Sequence, residues 1–358
     1  MQNIMSLKTI CLLFFFVTAY SFGKEAPENE HEGDIKTEIK EYINHHLLDS
    51  HDFSLTSYTN DSGEHKYIGF PLPVILWDDG LKVFSSSKLH HGETVAEVDG
   101  NYYKSFHGKI YKTDASGKIN MDDHHHPTNE KPLDFSITKN VFTIFLVALL
   151  MFFMFSRMAK KYKSSALPRG MGRFLEPIIL YIRNDIAIPN IGEKKYKRYM
   201  PYLLTVFFFI WIINLLGLTP LGVNVTNNIA VTLALALITY FLTTFTANKN
   251  YWGHIFWMPG VPWPMKIILA PIELLGTIIK PFSLMIRLYA NITAGHIVLM
   301  SIIGLMFIFK NWIGSSLSFG LAFALSLLEL LVAALQAYIF TMLSALYFGA
   351  AVEEHHDH

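Results

Sequence analysis

Cysteine is almost missing from this 358-residue chain, which has a single one, Cys11, in its extreme N-terminus. Disulfides, thiol catalysis and cysteine metal sites are therefore excluded from the rest of the sequence. Charge is also scarce, at 16% Asp, Glu, Lys and Arg, where ordinary globular proteins carry about 25%. The shortage is local. Of the 29 acidic residues 21 lie between Glu25 and Asp134, with 11 of the 16 histidines, while from Tyr199 to Val352 the only acidic residues are Glu273 and Glu329. A soluble domain of that size would not stay dispersed with so few surface charges, so lipid is the solvent of this half. No glycine-rich phosphate-binding loop occurs anywhere, which excludes nucleotide chemistry by this chain alone.

What is present first is a targeting pattern. Residues 1–23 read as a secretory signal: Lys8 supplies the positive end, 10–20 is an apolar run, and Ser21-Phe22-Gly23 offers small residues for cleavage. The mature chain is then expected to start near Lys24, outside the inner membrane; the alternative is an uncleaved anchor. An apolar run at 141–156 has to carry such a chain inward, and the stretch after it should be basic. Arg157, Lys160, Lys161, Lys163, Arg169, Arg173, Arg183, Lys194, Lys195, Lys197 and Arg198 there face only Glu176, Asp185 and Glu193.

Residues 24–135 form the expected exported, His-rich module. Ile35, Ile39, Ile43 and Leu47 recur at helical spacing. Beyond them Asp79-Gly80, Asp99-Gly100 and Ser116-Gly117 interrupt apolar runs at 72–85, 95–106 and 111–119, which predicts three hairpins and a small β-rich fold. Its histidines, among them His45, His46, His90, His91 and His124-His125-His126, have the chemistry of metal ligands. No carboxylate–histidine spacing fixes a coordination geometry, however, so they are read as solvated loops and no metal or cofactor is assigned.

Residues 136–358 form the membrane domain, with spans near 141–156, 199–218, 229–247, 267–309 and 315–349 and a surface-lying amphipathic segment at 174–182. The fold class is thus an all-α polytopic membrane protein with a small β-rich N-terminal module. The last two spans are unusual: 43 residues of helix extend for about 65 Å, roughly twice the hydrocarbon thickness. Either each hides a break, for which Pro271, Gly276, Pro281 and Gly295 are available in the first, or each is one long, strongly tilted helix. Five crossings put residues 353–358 in the cytoplasm.

Ionisable groups at membrane depth are costly and by default serve transport. Glu273, Lys280 and Arg287 recur every seven residues and share one helical stripe, with Glu273 and Arg287 about 21 Å apart along the axis. Asn291 lies on the same face. His296, nine residues beyond Arg287, is turned by roughly 180°. On the last span Glu329 and Gln336, again seven apart, form a polar stripe able to receive His296. Lys280, beside Pro281, can equally snorkel to the interface. Arg287 has no such inexpensive resting place.

The run Lys280-Pro281-Phe282-Ser283-Leu284-Met285-Ile286-Arg287-Leu288-Tyr289-Ala290-Asn291-Ile292-Thr293-Ala294-Gly295-His296 resembles the signature of subunit a of the rotary F-type ATP synthase. Leu335-Gln336-Ala337-Tyr338-Ile339-Phe340-Thr341-Met342-Leu343 is similar to that family's last helix. Asn214-Leu215-Leu216-Gly217-Leu218-Thr219-Pro220, with Val231-Thr232-Leu233-Ala234-Leu235, is similar to its middle hairpin. The likeness covers roughly 175–354. It implies a non-catalytic stator proton channel in a bacterial inner membrane, with a rotor ring of small helical hairpins and peripheral-stalk subunits as partners. It further implies that Arg287 faces the ring, that Asn291, His296, Glu329 and Gln336 line the outer half-channel, and that Glu273 lines the cytoplasmic one. The enterobacterial pattern holds Glu at the position of His296 and His at that of Glu329; the exchange keeps one imidazole and one carboxylate across the helix pair. The long exported module is not part of the resemblance.

Two other functions fit parts of the sequence. A free-standing secondary transporter or channel would use the same polar groups, but no inverted repeat relates the halves. A membrane metalloenzyme would need His254, His296 and the exported histidines together, and these fall at different depths.

Overall fold

The computed structural model describes residues 48–59, 65–124, 126–164, 170–219, 223–258, 261–308 and 312–353. The signal-like segment, the helical pattern at 35–47 and the pair His45-His46 lie outside them. Among the described residues five helices are long and apolar enough to cross a membrane, and a small β region precedes them.

The β region consists of three antiparallel sheets. Strands β1 (Asp52–Thr59) and β2 (His65–Pro71) form a ribbon. β3 (Pro73–Trp77), β4 (Leu81–Ser85) and β8 (Leu133–Asp134) form a sheet in the order β4-β3-β8, while β5 (Ala96–Val98), β6 (Asn101–Phe106) and β7 (Lys109–Thr113) follow each other in a second. Alternating residues put Val74, Leu76 and Phe84 from the first sheet against Ala96, Tyr103 and Ile110 from the second, with Leu89 closing the cluster. Within it Tyr103 donates to Asp78 at 2.7 Å, and Lys112 pairs with the same carboxylate at 2.9 Å.

Two of the three expected hairpins form. Asp79 and Gly80, and Asp99 and Gly100, all have positive φ, as tight hairpin turns require. The third expectation needs correction. Ser116-Gly117 does make a turn, closed by Gly117 N–H to the Asp114 carbonyl, but among the described residues no strand pairs with β7 after it, only the single backbone bond from Lys112 N–H to the Glu130 carbonyl. Instead β7 pairs with β6 through His107-Gly108, at φ 49° and 73°. A histidine occupies the left-handed position there, so this turn lacks the Asp-Gly or Ser-Gly pair from which the others were expected.

Helix α1 (Lys139–Ser164) starts inside this unit. Its first three amide groups, which have no helical acceptor, all find one. Lys139 N–H donates to the Ser50 carbonyl (2.9 Å), Asn140 N–H to Asp49 (3.1 Å) and Val141 N–H to the Thr138 hydroxyl (3.4 Å), which itself donates to Asp49 (3.0 Å). Beside this cap His51 pairs with Asp134 at 2.8 Å, and the Phe142 ring meets Phe53 and Phe70 at 5.4 and 5.3 Å.

The second compact unit holds residues 147–215, 225–299 and 323–358. Helix α2 (Met171–Tyr181) covers the expected amphipathic segment and runs through a π turn (Ile182–Ala187) into the short α3 (Ile188–Ile191). Helix α4 (Tyr196–Gly217) packs on α5 (Ile229–Thr246), where the Tyr202 hydroxyl meets Thr239 at 2.7 Å. A short α6 (Lys249–Phe256) follows. The two long segments are α7 (Trp263–Ile308) and α8 (Trp312–Val352), of 46 and 41 residues. Neither is broken: Pro271 and Pro281 lie inside α7 without ending it, so the alternative of a hidden break is set aside. The last carbonyls of α8 are capped from elsewhere, that of Val352 by Lys195 (2.7 Å) and Asn248 (3.0 Å).

Candidate functional site

The buried stripe of α8 contains Ala333, Gln336, Ala337, Thr341, Ser344 and Ala345. Small side chains of this kind let helix backbones approach closely in lipid. Glu329 continues the stripe and is 8% exposed, and its two carboxylate oxygens have no hydrogen-bond donor among the described residues. It rests on Gly295 of α7: a Cβ built there would lie 3.0 Å from Glu329 Oε1. The next residue, His296, is equally buried. Thus the imidazole and carboxylate singled out from the sequence sit on contacting stretches of α7 and α8, with Gln336, 4% exposed, two turns along α8.

Arg287 is placed differently. It lies half-buried between the packed residues Leu284 and Leu288 on one side and the exposed Ile286 and Ala290 on the other, with Asn291 exposed one turn on. Arg287 makes no ion pair or hydrogen bond with a described residue, although the Tyr347 hydroxyl is within its electrostatic range. Glu273 and Lys280, on the same stripe, are also half-buried. The ammonium of Lys280 lies over the Tyr347 ring at 5.7 Å instead of reaching away from the protein. It helps to line a cavity with Tyr240, Thr243, Tyr251, Thr277 and Tyr347, and Glu273 is within electrostatic range of Tyr251.

The sequence reading missed these tyrosines and threonines, because single hydroxyls in apolar runs carry no spacing signal. It also missed a polar pair between Thr226 and Asn214 (2.8 Å), and another between Thr293 of α7 and Asn227. Among the described residues no cluster of three metal-ligating side chains occurs.

Among the described residues, five helices of membrane-span length and composition, two of them carrying buried or half-buried ionisable groups, define a multi-pass membrane protein built to pass ions. Comparison with known proteins narrows this. The family described as ATP synthase A chain matches residues 141–349, and a domain of unknown function (DUF8433) matches 42–135. The chain is 45% identical over 234 residues to ATP synthase subunit a 2 of Chlorobaculum tepidum, covering 63% of this chain and 66% of that protein. It is 44% identical to ATP synthase subunit a of Chlorobium phaeobacteroides over 63% and 68% of the two chains. To ATP synthase subunit a 2 of Prosthecochloris aestuarii it is 37% identical over 308 residues, 80% of this chain and 93% of that one. The chain thus spans about two thirds of the first two relatives. The chain belongs to the ATP synthase A chain family. It is a non-catalytic, proton-translocating stator subunit of the F-type ATP synthase membrane sector.

Proposed function

We propose that protons move through two laterally offset half-channels that never meet, and ride a rotor-ring carboxylate between them. The observation that carries this reading is Arg287: a guanidinium at membrane depth, beside an exposed helix face, with no acidic partner among the described residues. Burying a cation there is costly unless an anion meets it, so the partner has to come from another subunit. In this scheme a proton enters from outside past Asn291, Gln336, Glu329 and His296 to the ring carboxylate, whose neutral form then passes into lipid. On the other side the carboxylate releases its proton toward Glu273, and the fixed charge of Arg287 attracts the anion and blocks a direct leak. Each charge that crosses delivers about 2.3 kcal/mol per 100 mV, so several are summed for each nucleotide made elsewhere in the complex.

The ring of helical hairpins and the peripheral stalk are the partners this role requires. Residues 1–23 act as a signal, 24–135 as an exported module and 136–358 as the channel domain. The module lies outside the bacterial inner membrane and the C-terminus in the cytoplasm. The basic residues from Arg157, near the end of α1, to Arg198, in the first turn of α4, support that orientation. Protease access in spheroplasts and N-terminal sequencing test it; an intact Met1 with a protected module would overturn it.

The central test is ATP-driven proton pumping and ATP synthesis in inverted vesicles carrying Arg287→Ala or Arg287→Lys, with assembly checked by immunoblot. Both variants should assemble and fail to couple, because lysine lacks the delocalised, always-protonated fork. Near-normal pumping by an assembled Arg287→Ala complex would remove the centre of the scheme.

A further inference from the structure

The β4-β3-β8 sheet has two faces of different character. One carries Val74, Leu76 and Phe84 into the core. The ladder pairs Ile75 with Val83 and Trp77 with both Leu81 and Leu133, and Phe135 N–H bonds to the Ile75 carbonyl, so these six side chains share the other face. It carries no charged residue. Trp77, Leu81, Val83, Leu133 and Phe135 are 56%, 61%, 57%, 63% and 64% exposed. Contiguous apolar patches of this sort mark interaction surfaces, since water is a poor solvent for them.

The chain itself indicates what covers it. Phe135 lies four residues before Lys139, the first residue of α1, so at most about 14 Å of extended chain separates the two. The joint does not let the module swing away: Asp49 and Ser50 cap α1, His51 holds Asp134 at the end of β8, and Phe142 in the second turn of the span packs on Phe53 and Phe70. The apolar face is thereby tethered within a few residues of α1, a helix long and apolar enough to cross a bilayer. Tryptophan is enriched at the headgroup level, and Trp, Phe and Leu make up the apolar faces of segments that lie in the interface. We propose that this sheet face is a membrane seat: it lies in the interfacial layer of the leaflet at which α1 enters and rests the module on lipid. The proposal rests on α1 being a span and is independent of the proton path.

Spin labels test it. In a Cys11→Ser background, Leu81→Cys, Val83→Cys and, as a control on the aqueous side, Glu97→Cys are labelled in the full-length subunit, assembled in its complex and reconstituted into vesicles of phosphatidylethanolamine and phosphatidylglycerol. All three positions are exposed, so the substitutions leave the core intact. Collision with oxygen, which partitions into lipid, is compared with collision with a water-soluble nickel chelate. Labels at 81 and 83 should show a higher oxygen-to-nickel ratio than the label at 97. Equal ratios at all three positions would mean that the face is bathed in water. Protection of 81 and 83 from both reagents would mean that a protein surface, or a second copy of this chain, covers it. Either outcome overturns the seat. ATP-driven pumping by the same labelled complexes reports separately on the channel.

Discussion

Glycine at position 295 leaves the room in which the Glu329 carboxylate lies, and that makes it a test of function more than of folding. The atom that an added Cβ would meet is the far end of a flexible side chain, so the helices need not part; the carboxylate must swing. Gly295→Ala should lower proton-driven ATP synthesis with assembly unchanged, and Gly295→Val should lower it further. Wild-type pumping by both would show that the close approach has no bearing on transport. The neighbouring pair allows a second test. If His296 and Glu329 hand on one proton, exchanging them (His296→Glu with Glu329→His) should retain more transport than either single change, because the double variant restores one imidazole and one carboxylate. A double variant no better than the worse single one counts against direct coupling. Both types were legible in the sequence from the helical arithmetic of 287, 296, 329 and 336. The part played by Gly295 was not, since a glycine in an apolar run gives no sign of what its missing side chain admits.

Among the elements, α8 depends on a contact that tolerates no added atom. At Gly349 a Cβ would fall 1.9 Å from the Asn190 carbonyl oxygen of α3, and that oxygen belongs to backbone. Nearby, Phe348 stacks on Tyr199 at 4.6 Å, and Lys195 and Asn248 close the helix end. Gly349→Ala should therefore destabilise the docking of α8 by about 1–3 kcal/mol or more, seen as earlier thermal inactivation of the solubilised complex. An unchanged midpoint would show that α3 gives way freely. The spans themselves were readable because lipid permits only long, internally bonded apolar helices, and each observed span includes most of its expected run. The continuity of α7 through Pro271 and Pro281 was beyond the sequence: whether a proline breaks a membrane helix depends on what satisfies the freed carbonyl. The β6–β7 hairpin was missed for a local reason, the histidine in its turn, and the α1 cap for a distant one, since its carboxylate comes from Asp49.

At the scale of the whole molecule, the β module and the apolar helices answer differently to solution conditions. Hydrogen bonds from Lys112 and then Tyr103 hold the Asp78 carboxyl below its usual value of 3.8. A group whose folded pKa is depressed contributes stability that is fully present above the unfolded value and is lost as pH falls through the folded one. Hydrogen exchange across β3 to β7 should therefore accelerate as pH drops below 3.8, after correction for intrinsic exchange rates, and Asp78→Asn should flatten that dependence. An unchanged acid limb in the variant would assign it to other carboxylates. The module's joint with α1 also sets an order of events during synthesis. Asp49 is bonded to partners 89 and 91 residues later in the chain. At about 5–20 residues per second, some 5–18 s pass between translation of Asp49 and that of Asn140, whose amide belongs to the first turn of a helix of membrane-span length. The N-terminal edge of the module therefore waits, unlocked, for the first turn of the span, and the fold is completed at its beginning.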